Sequence, residues 1–158
     1  TKSDQDGLWS ALNSDKIDII ATDHAPHTFT EKQKKYLKCP SGGPLVQHSL
    51  IIMFEHFLNK RISLEKIVEK MCNNPATIFK INKRGFIKEG YYADLAILDP
   101  KKSQTISSKN IFYKCGWSPF EGKTFNSTVT HTFVNGHLAF RRGVINDSKL
   151  GMKIDFSQ

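Results

Sequence analysis

The spacing of apolar residues predicts helices in the first half of the chain. A short amphipathic helix is predicted over residues 5–13, where three apolar side chains recur at helical intervals: Leu8, Trp9 and Leu12. The helical period returns from Leu45, and one face of that segment carries Leu50, Met53, Phe54, Phe57 and Leu58. Ser63 is a favourable N-cap for a second helix. Asn74-Pro75 is predicted to start a short helix that runs to Phe79, with Asn74 as the cap and Pro75 at the first helical position.

Other segments have the pattern of strands. Residues 17–22 form a short β-branched run, which is typical of a strand buried on both faces of a parallel sheet. Beyond residue 80, short strands are predicted at 85–87 and 94–98. The strongest hairpin signal is Asn135-Gly136, because a two-residue Asn-Gly loop between apolar runs favours the turn with positive φ that matches strand twist.

A long loop without periodicity separates the predicted strand at 17–22 from the helices that follow. It runs from Asp23 to Pro44, and its last part, residues 39–44, is dense in turn formers. Long loops inside compact domains are usually functional or disordered. The pattern as a whole divides the chain into residues 1–79, with helix, parallel strand, loop and helices, and residues 80–158, which are predicted to be all-β.

Composition narrows the class of protein. The chain has 158 residues, of which 39% are hydrophobic and 24% charged, which is ordinary for a globular domain. No apolar run is long enough for a membrane span and no signal-peptide core is visible, so a cytoplasmic location without membrane contact is expected. Three cysteines without CxxC spacing argue against a disulfide framework and against a thiolate zinc site.

The net charge of +8 raises the question of a nucleic-acid partner. The lysines are scattered along the whole chain, and the densest stretch, residues 32–38, is interrupted by neutral side chains. A solvated basic surface explains this distribution better than a nucleic-acid site does, so no nucleic-acid partner is expected.

Asp23 is the first candidate for chemistry. A carboxylate at the C-terminal end of a buried parallel strand occupies the position where α/β folds place active sites, and two imidazoles, His24 and His27, follow it. These residue types suit Zn²⁺, although a catalytic zinc needs at least three protein ligands. On spacing alone the alternative stays open that Asp23 caps a turn beside two loop histidines.

The segment around Asp23 resembles a known signature. The string Thr22-Asp23-His24-Ala25-Pro26-His27 is similar to that of dihydroorotases, amidohydrolases in the group that also includes hydantoinases and allantoinases. Four further stretches resemble the same family in the same order: residues 39–44, 74–76, 90–95 and 133–136. The resemblance implies an α/β fold class, namely the C-terminal end of a (β/α)₈ TIM-like metal-dependent hydrolase barrel followed by strands of a small β-sandwich domain.

The resemblance also implies an incomplete set of metal ligands. Residues 17–22 match the eighth barrel strand, 45–79 the closing helices, and 80 onwards the sandwich. The family's first metal motif, its bridging residue and two later histidine ligands have no match in this sequence and would lie upstream of residue 1. We therefore expect two zinc ions per site, held mostly by residues of a longer enzyme that precede this segment. No ligand role is expected for the remaining histidines, which are His48, His56, His131 and His137.

The matching residues carry roles by resemblance. Asp23 is expected to be a metal ligand and the catalytic carboxylate that exchanges a proton with a metal-activated hydroxide, and His24 to order the strand end. His27 matches the histidine that binds the substrate carboxylate, with a loop-ordering hydrogen bond as the alternative. Ser41 and Gly42 match the turn whose backbone contacts substrate. The chain continues Pro44-Leu45-Val46-Gln47 where many relatives read Gly-Leu-Glu-Thr, so the backbone donor stays open.

The function implied is that of a dihydroorotase, which interconverts dihydroorotate and N-carbamoyl-aspartate in pyrimidine biosynthesis. Two alternatives stay open: a related hydantoinase or allantoinase, and a non-catalytic dihydroorotase-like scaffold or assembly subunit. A homo-oligomer is compatible with each of them. Without barrel neighbours for residues 17–22, the isolated segment 1–158 is expected to aggregate and to be inactive.

Overall fold

The computed structural model describes residues 1–157. Its α-helices lie in the first half of the chain: α1 (Lys2–Asn13), α2 (Phe29–Lys32), α3 (Ser49–Leu58), α4 (Leu64–Val68) and α5 (Asn74–Ile78). All of them except α2 lie in segments where the sequence predicts helix. Single 3₁₀ turns occur at Tyr36–Lys38, Val46–His48 and Ser108–Asn110, and the π-helical turn Glu69–Asn73 joins α4 to α5. The long loop predicted over residues 23–44 therefore contains one short α-helix and one 3₁₀ turn.

The helix starts follow local side-chain chemistry. Ser63 is the N-cap of α4, as predicted, and its hydroxyl accepts a hydrogen bond from the backbone N–H of Lys66. The prediction that Asn74 caps α5 is wrong, because the preceding π-helical turn already holds the chain in helical conformation. The Asn74 amide instead donates to the carbonyl of Asp18 at 2.8 Å.

The strands form two antiparallel arrangements. They are β1 (Leu95–Asp99), β2 (Gln104–Thr105), β3 (Thr124–Phe125), β4 (Thr128–Val134), β5 (His137–Arg141) and β6 (Val144–Ile145). One sheet has the order β1-β4-β5-β6, and β2 pairs with β3. The predicted hairpin is confirmed: β4 and β5 are antiparallel and joined through Asn135 and Gly136, both with positive φ (52° and 78°).

Two predicted strands are not formed. Residues 17–22 have no regular strand structure and are at most half-buried, because no other segment within residues 1–157 lies beside them as a parallel partner. Their backbone is tied elsewhere, with the N–H of Ile20 donating to the carbonyl of Lys70. Residues 85–87 are irregular because Gly85, at φ +79°, turns the chain directly against α5 and the helical turn before it.

The chain forms two compact units. The first contains Thr1–Ile20, His56–Asp99 and the residues from Val129 onwards, and the second contains Ala21–Glu55 and Pro100–Thr128. Buried apolar side chains of the first unit are Leu12, Ile62, Ile67 and Ala76; those of the second are Ile51, Met53, Phe54, Ile106 and Phe125. The domain boundary at residues 79/80, which concerns the architecture of the family, stays a prediction.

An ion cluster joins two segments of the first unit. The Asp15 carboxylate accepts hydrogen bonds from the ammonium groups of Lys66 at 2.6 Å and Lys70 at 2.9 Å. These hydrogen bonds lower the pKa of Asp15 to about 2, and the one from Lys66 has the larger effect. The Lys70 side chain is only 1% exposed, so Asp15 is a counterion to a buried charge.

None of the helices described over residues 1–157 is long and apolar enough to cross a membrane.

Candidate functional site

The loop that carries Asp23 folds back on itself within the second unit. His24 and Gly43 form an isolated parallel bridge, and the N–H of Ala25 donates to the carbonyl of Gly43 at 3.0 Å. Asp23 itself has a left-handed backbone, with φ +46°. The two stretches that resemble family motifs, around Asp23 and around Gly42, are therefore neighbours in space.

Gly42 makes this close approach possible. Its φ is +79°, and a Cβ atom at this position would lie 2.7 Å from the Cβ of Ala25. Carbon atoms prefer separations of about 3.5–4.0 Å. Both the backbone conformation and the available space therefore require glycine at position 42.

The polar groups of Asp23 and His24 are used differently. Asp23 is exposed, and its carboxylate has no hydrogen-bond partner among residues 1–157. His24 binds the loop: its Nδ1 accepts hydrogen bonds from the N–H groups of Leu45 (3.1 Å) and Val46 (3.4 Å). An imidazole held in this way orders the backbone that follows Gly43, while the neighbouring carboxylate stays available for a ligand.

His27 is half-buried and is held through its backbone. Its N–H donates to the carbonyl of Ala25 at 2.9 Å, and its carbonyl accepts a hydrogen bond from the indole N–H of Trp117 at 2.8 Å. The imidazole has no hydrogen-bond partner in the part of the chain that the structure describes. Loop-ordering hydrogen bonds, the predicted alternative role of His27, are thus made here by its main-chain atoms. The side chain makes none, and it interacts electrostatically with Glu31.

The turn at Ser41-Gly42 presents backbone N–H groups. Neither N–H has a partner within the described residues 1–157. The Lys32 ammonium donates to the carbonyl of Gly42 (2.9 Å) and to that of the preceding Pro40 (2.6 Å). Lys32 ends helix α2, whose first turn is fixed by a capping box between Thr28 and Glu31. Hydrogen bonds from Thr28 lower the pKa of Glu31.

Sequence reasoning missed a second segment that supports this loop. The side chain of Gln47 donates to the carbonyl of Asn110 (2.7 Å) and accepts from the N–H of Phe112 (2.9 Å). The backbone N–H of Gln47 donates to the hydroxyl of Tyr113 at 2.8 Å. We call residues 110–117, which include Trp117, the brace. No local pattern could have identified it, because its contacts join residues 63 to 90 positions apart.

The histidines outside the loop contact other side chains or a backbone carbonyl. His48 is buried, and its Nδ1 lies 3.3 Å from the Tyr113 hydroxyl, while burial lowers its pKa. The ring of His56 packs edge-on against Trp9. His131 contacts the Thr130 hydroxyl, and His137 contacts the carbonyl of Asn146.

The donor set for a metal is partial. Residues 1–157 contain no group of three or more His, Cys, Asp or Glu side chains that could hold a metal ion. Asp23 has the chemistry of one ligand, since its carboxylate is exposed and unpaired, but a catalytic zinc needs three protein ligands. The described residues therefore fit one position of a metal site and do not complete it.

Comparison with known proteins identifies the class. Residues 1–139 match the model of the amidohydrolase family, so the chain belongs to that family. A dihydroorotase from Clostridioides difficile (strain 630) is 38% identical over 141 residues, covering 89% of this chain and 33% of the relative. A dihydroorotase from Pyrococcus furiosus is 34% identical over 154 residues, covering 98% of this chain and 36% of the relative. The chain thus spans about a third of the length of these curated relatives.

The fold class is confirmed by a solved structure. A D-hydantoinase (dihydropyrimidinase) from Thermus sp. superposes with a TM-score of 0.81 at 26% identity, over 90% of this chain and 32% of that protein. Together with the helices and antiparallel strands described above, this likeness corresponds to the end of an amidohydrolase barrel followed by sheet strands.

Proposed function

We propose that this chain is the C-terminal portion of a dihydroorotase-like cyclic amidohydrolase, which opens the ring of dihydroorotate to N-carbamoyl-aspartate and catalyses the reverse reaction. One observation carries the proposal. The loop at residues 23–44 brings an unpaired carboxylate, Asp23, into one folded segment with the unpaired N–H groups of Ser41-Gly42. The imidazole of His27, in the same loop, makes no hydrogen bond within residues 1–157. The dihydroorotase relatives, at 34% and 38% identity, support the choice of reaction.

Asp23 is proposed as the catalytic carboxylate and as a metal ligand. Ring opening needs a base that takes a proton from the attacking water and returns it to the ring nitrogen as the C–N bond breaks. The exposed carboxylate of Asp23 has no competing partner among residues 1–157 and is free for both transfers. Zinc, when bound, would supply a nucleophile at neutral pH by lowering the pKa of water. The other ligands would come from residues outside this chain.

His27, Ser41 and Gly42 are proposed to recognise the substrate carboxylate. Dihydroorotate is an anion, and hydrogen bonds to a charged acceptor are stronger than those between neutral groups. The imidazole of His27 and the backbone N–H groups of Ser41-Gly42 are donors of the required kind. Because two of the three are main-chain groups, Gly42 contributes through its conformation, which residues with a Cβ atom rarely adopt.

The experiment that tests this proposal is turnover of dihydroorotate by the complete zinc-loaded protein that contains this chain. Replacing Asp23 by Asn keeps the size of the side chain and removes the base, so kcat should fall by about 10²- to 10⁴-fold. In the metal-free protein the free energy of unfolding should change by less than about 0.5 kcal/mol, because Asp23 is exposed and unpaired. Near-normal turnover by Asp23→Asn would reject the assignment of Asp23.

A hydantoinase-like activity is the second candidate, favoured by the likeness to a solved D-hydantoinase. The two activities differ in whether the ring carries a carboxylate. Kinetics with dihydroorotate and with unsubstituted hydantoin therefore separate them: His27→Ala should raise KM for the first substrate and leave KM for the second unchanged. A zinc-loaded wild-type protein inactive on both would instead support the scaffold alternative.

The proposal includes the context of the enzyme. We propose that the complete enzyme is cytoplasmic, acts in pyrimidine biosynthesis and can assemble as a homo-oligomer. We further propose that residues 1–158 alone are inactive and prone to aggregate. Exposed large apolar side chains such as Leu37 (94% exposed) and Ile87 (93% exposed) support the proposed tendency to aggregate. A monodisperse, zinc-dependent hydrolase made from these residues alone would contradict it.

A further inference from the structure

We propose that Trp117 is a positioning residue that places His27 for binding of the substrate carboxylate. The inference rests on the proposed function, because it assumes that the His27 imidazole contacts substrate. It begins from the hydrogen bond between the indole N–H of Trp117 and the carbonyl of His27, at 2.8 Å. This bond joins residues 90 positions apart within the second unit.

The hydrogen bond from Trp117 holds the backbone of the residue that carries the imidazole. The N–H of His27 donates to the carbonyl of Ala25, and the carbonyl of His27 accepts from Trp117, so both main-chain polar groups of this residue are fixed. The imidazole itself has no hydrogen-bond partner within residues 1–157. The imidazole also interacts electrostatically with Glu31 of helix α2. The placement of the Cα–Cβ bond that carries the ring depends on how the backbone is held, and Trp117 contacts this backbone from outside the loop.

Trp117 also touches both sides of the folded loop. Its ring lies 6.3 Å, centroid to centroid, from that of Phe29, which begins helix α2 two residues after His27. On the other side, a Cβ atom at Gly43 would lie 3.7 Å from Cη2 of Trp117. The indole thus spans the distance between the His27 segment and the turn that carries Gly42.

The brace is itself anchored, which gives Trp117 a fixed place. Gln47 makes two side-chain hydrogen bonds to Asn110 and Phe112, and the Tyr113 hydroxyl accepts from the Gln47 backbone N–H. Directly after the brace, the Ser118 hydroxyl lies 3.4 Å from Nδ1 of the buried His48. A donor held this firmly can set the position of His27 instead of following it.

The test compares two tryptophan variants of the complete zinc-loaded protein. Trp117→Phe removes the N–H donor and keeps an aromatic ring. Trp9→Phe is the matched control, since Trp9 lies in the first unit against His56 and Arg61. Loss of one neutral hydrogen bond should raise KM for dihydroorotate about three- to tenfold in Trp117→Phe, with kcat within about twofold of wild type. Trp9→Phe should leave both constants unchanged.

A double-mutant cycle separates positioning from a general structural effect. In a His27→Ala background the imidazole is gone, so adding Trp117→Phe should change KM no further. The same rise in KM in both backgrounds would overturn the inference, as would an unchanged KM, or a lower kcat at unchanged KM, in Trp117→Phe alone. If Trp117→Phe does not fold, benzothienylalanine at position 117 replaces the N–H by sulfur at nearly constant shape, and the same criteria apply.

Failure of this inference is distinguishable from failure of the proposed function. A wild-type protein without activity on dihydroorotate overturns both. An active wild type whose KM rises in His27→Ala but not in Trp117→Phe overturns the role of Trp117 alone.

Discussion

Replacing Gly42 by Ala tests whether the loop conformation depends on the missing side chain. The substitution adds one Cβ atom, which has two separate consequences. A left-handed backbone with a Cβ costs about 1–2 kcal/mol. The new atom would also lie 2.7 Å from the Cβ of Ala25, and overpacking of this kind typically costs about 1–3 kcal/mol. Gly42→Ala should therefore lower the free energy of unfolding by about 2–5 kcal/mol in total.

Gly122 provides the matched control for the backbone term. It lies in the same unit with nearly the same φ, +81°, and a Cβ there would have nothing within 4 Å. Gly122→Ala should therefore cost only about 1–2 kcal/mol. The assay is urea unfolding of the complete protein, with KM for dihydroorotate measured on the same samples. KM should rise in Gly42→Ala and stay near the wild-type value in Gly122→Ala.

A second variant isolates the contact itself. In an Ala25→Gly background the opposing methyl group is absent, so Gly42→Ala should cost no more than Gly122→Ala does. The reasoning is refuted if Gly42→Ala and Gly122→Ala destabilise equally in the wild-type background. It is also refuted if the cost of Gly42→Ala is the same with and without the Ala25 methyl group.

Three further predictions concern stability. Two lysine ammonium groups lower the pKa of Asp15 to about 2, so its ionised form stabilises the folded state above about pH 4. This contribution should disappear as the pH falls towards 2. Unfolding curves of wild type and Asp15→Asn should therefore differ at pH 7 and converge near pH 2. Burial lowers the pKa of His48, so the folded state favours the neutral ring and stability should decline as the pH falls below about 6.5; a His48→Gln variant that keeps the full decline between pH 7 and 5 would contradict this. Gly85→Ala should cost about 2–5 kcal/mol, since its Cβ would lie 2.3 Å from that of Ala76, whereas Gly90→Ala, with the same φ and open space, should cost about 1–2 kcal/mol in the same denaturation assay.

Local patterns predicted the elements whose stability is local. The Ser63 cap and the Asn135-Gly136 hairpin were both correct, because a side-chain cap and a turn with positive φ depend on residues a few positions apart. The strand predicted at residues 17–22 failed for the opposite reason. A parallel strand is formed by neighbours far away in sequence, and residues 1–157 supply none beside it.

The candidate site shows the same division. The motif from Asp23 to His27 was visible in sequence because the string resembles a specific family signature, whereas the match at Ser41-Gly42 was looser. The sequence did not show that the Asp23 carboxylate stays unpaired while His24 binds the loop backbone. Which of two adjacent polar side chains is free depends on the hydrogen bonds that the folded loop offers.

The amino-acid sequence was sufficient for the family resemblance, for helices α1 and α3 to α5, for the hairpin and for the identity of the residues proposed for chemistry. How those residues are held depends on the tertiary structure. The hydrogen bond from Trp117 to His27, the hydrogen bonds of Gln47 to the brace and the contact of Gly42 with Ala25 all join segments that are distant along the chain. No local periodicity encodes such pairs, because each forms only when two segments that are far apart along the chain fold against each other.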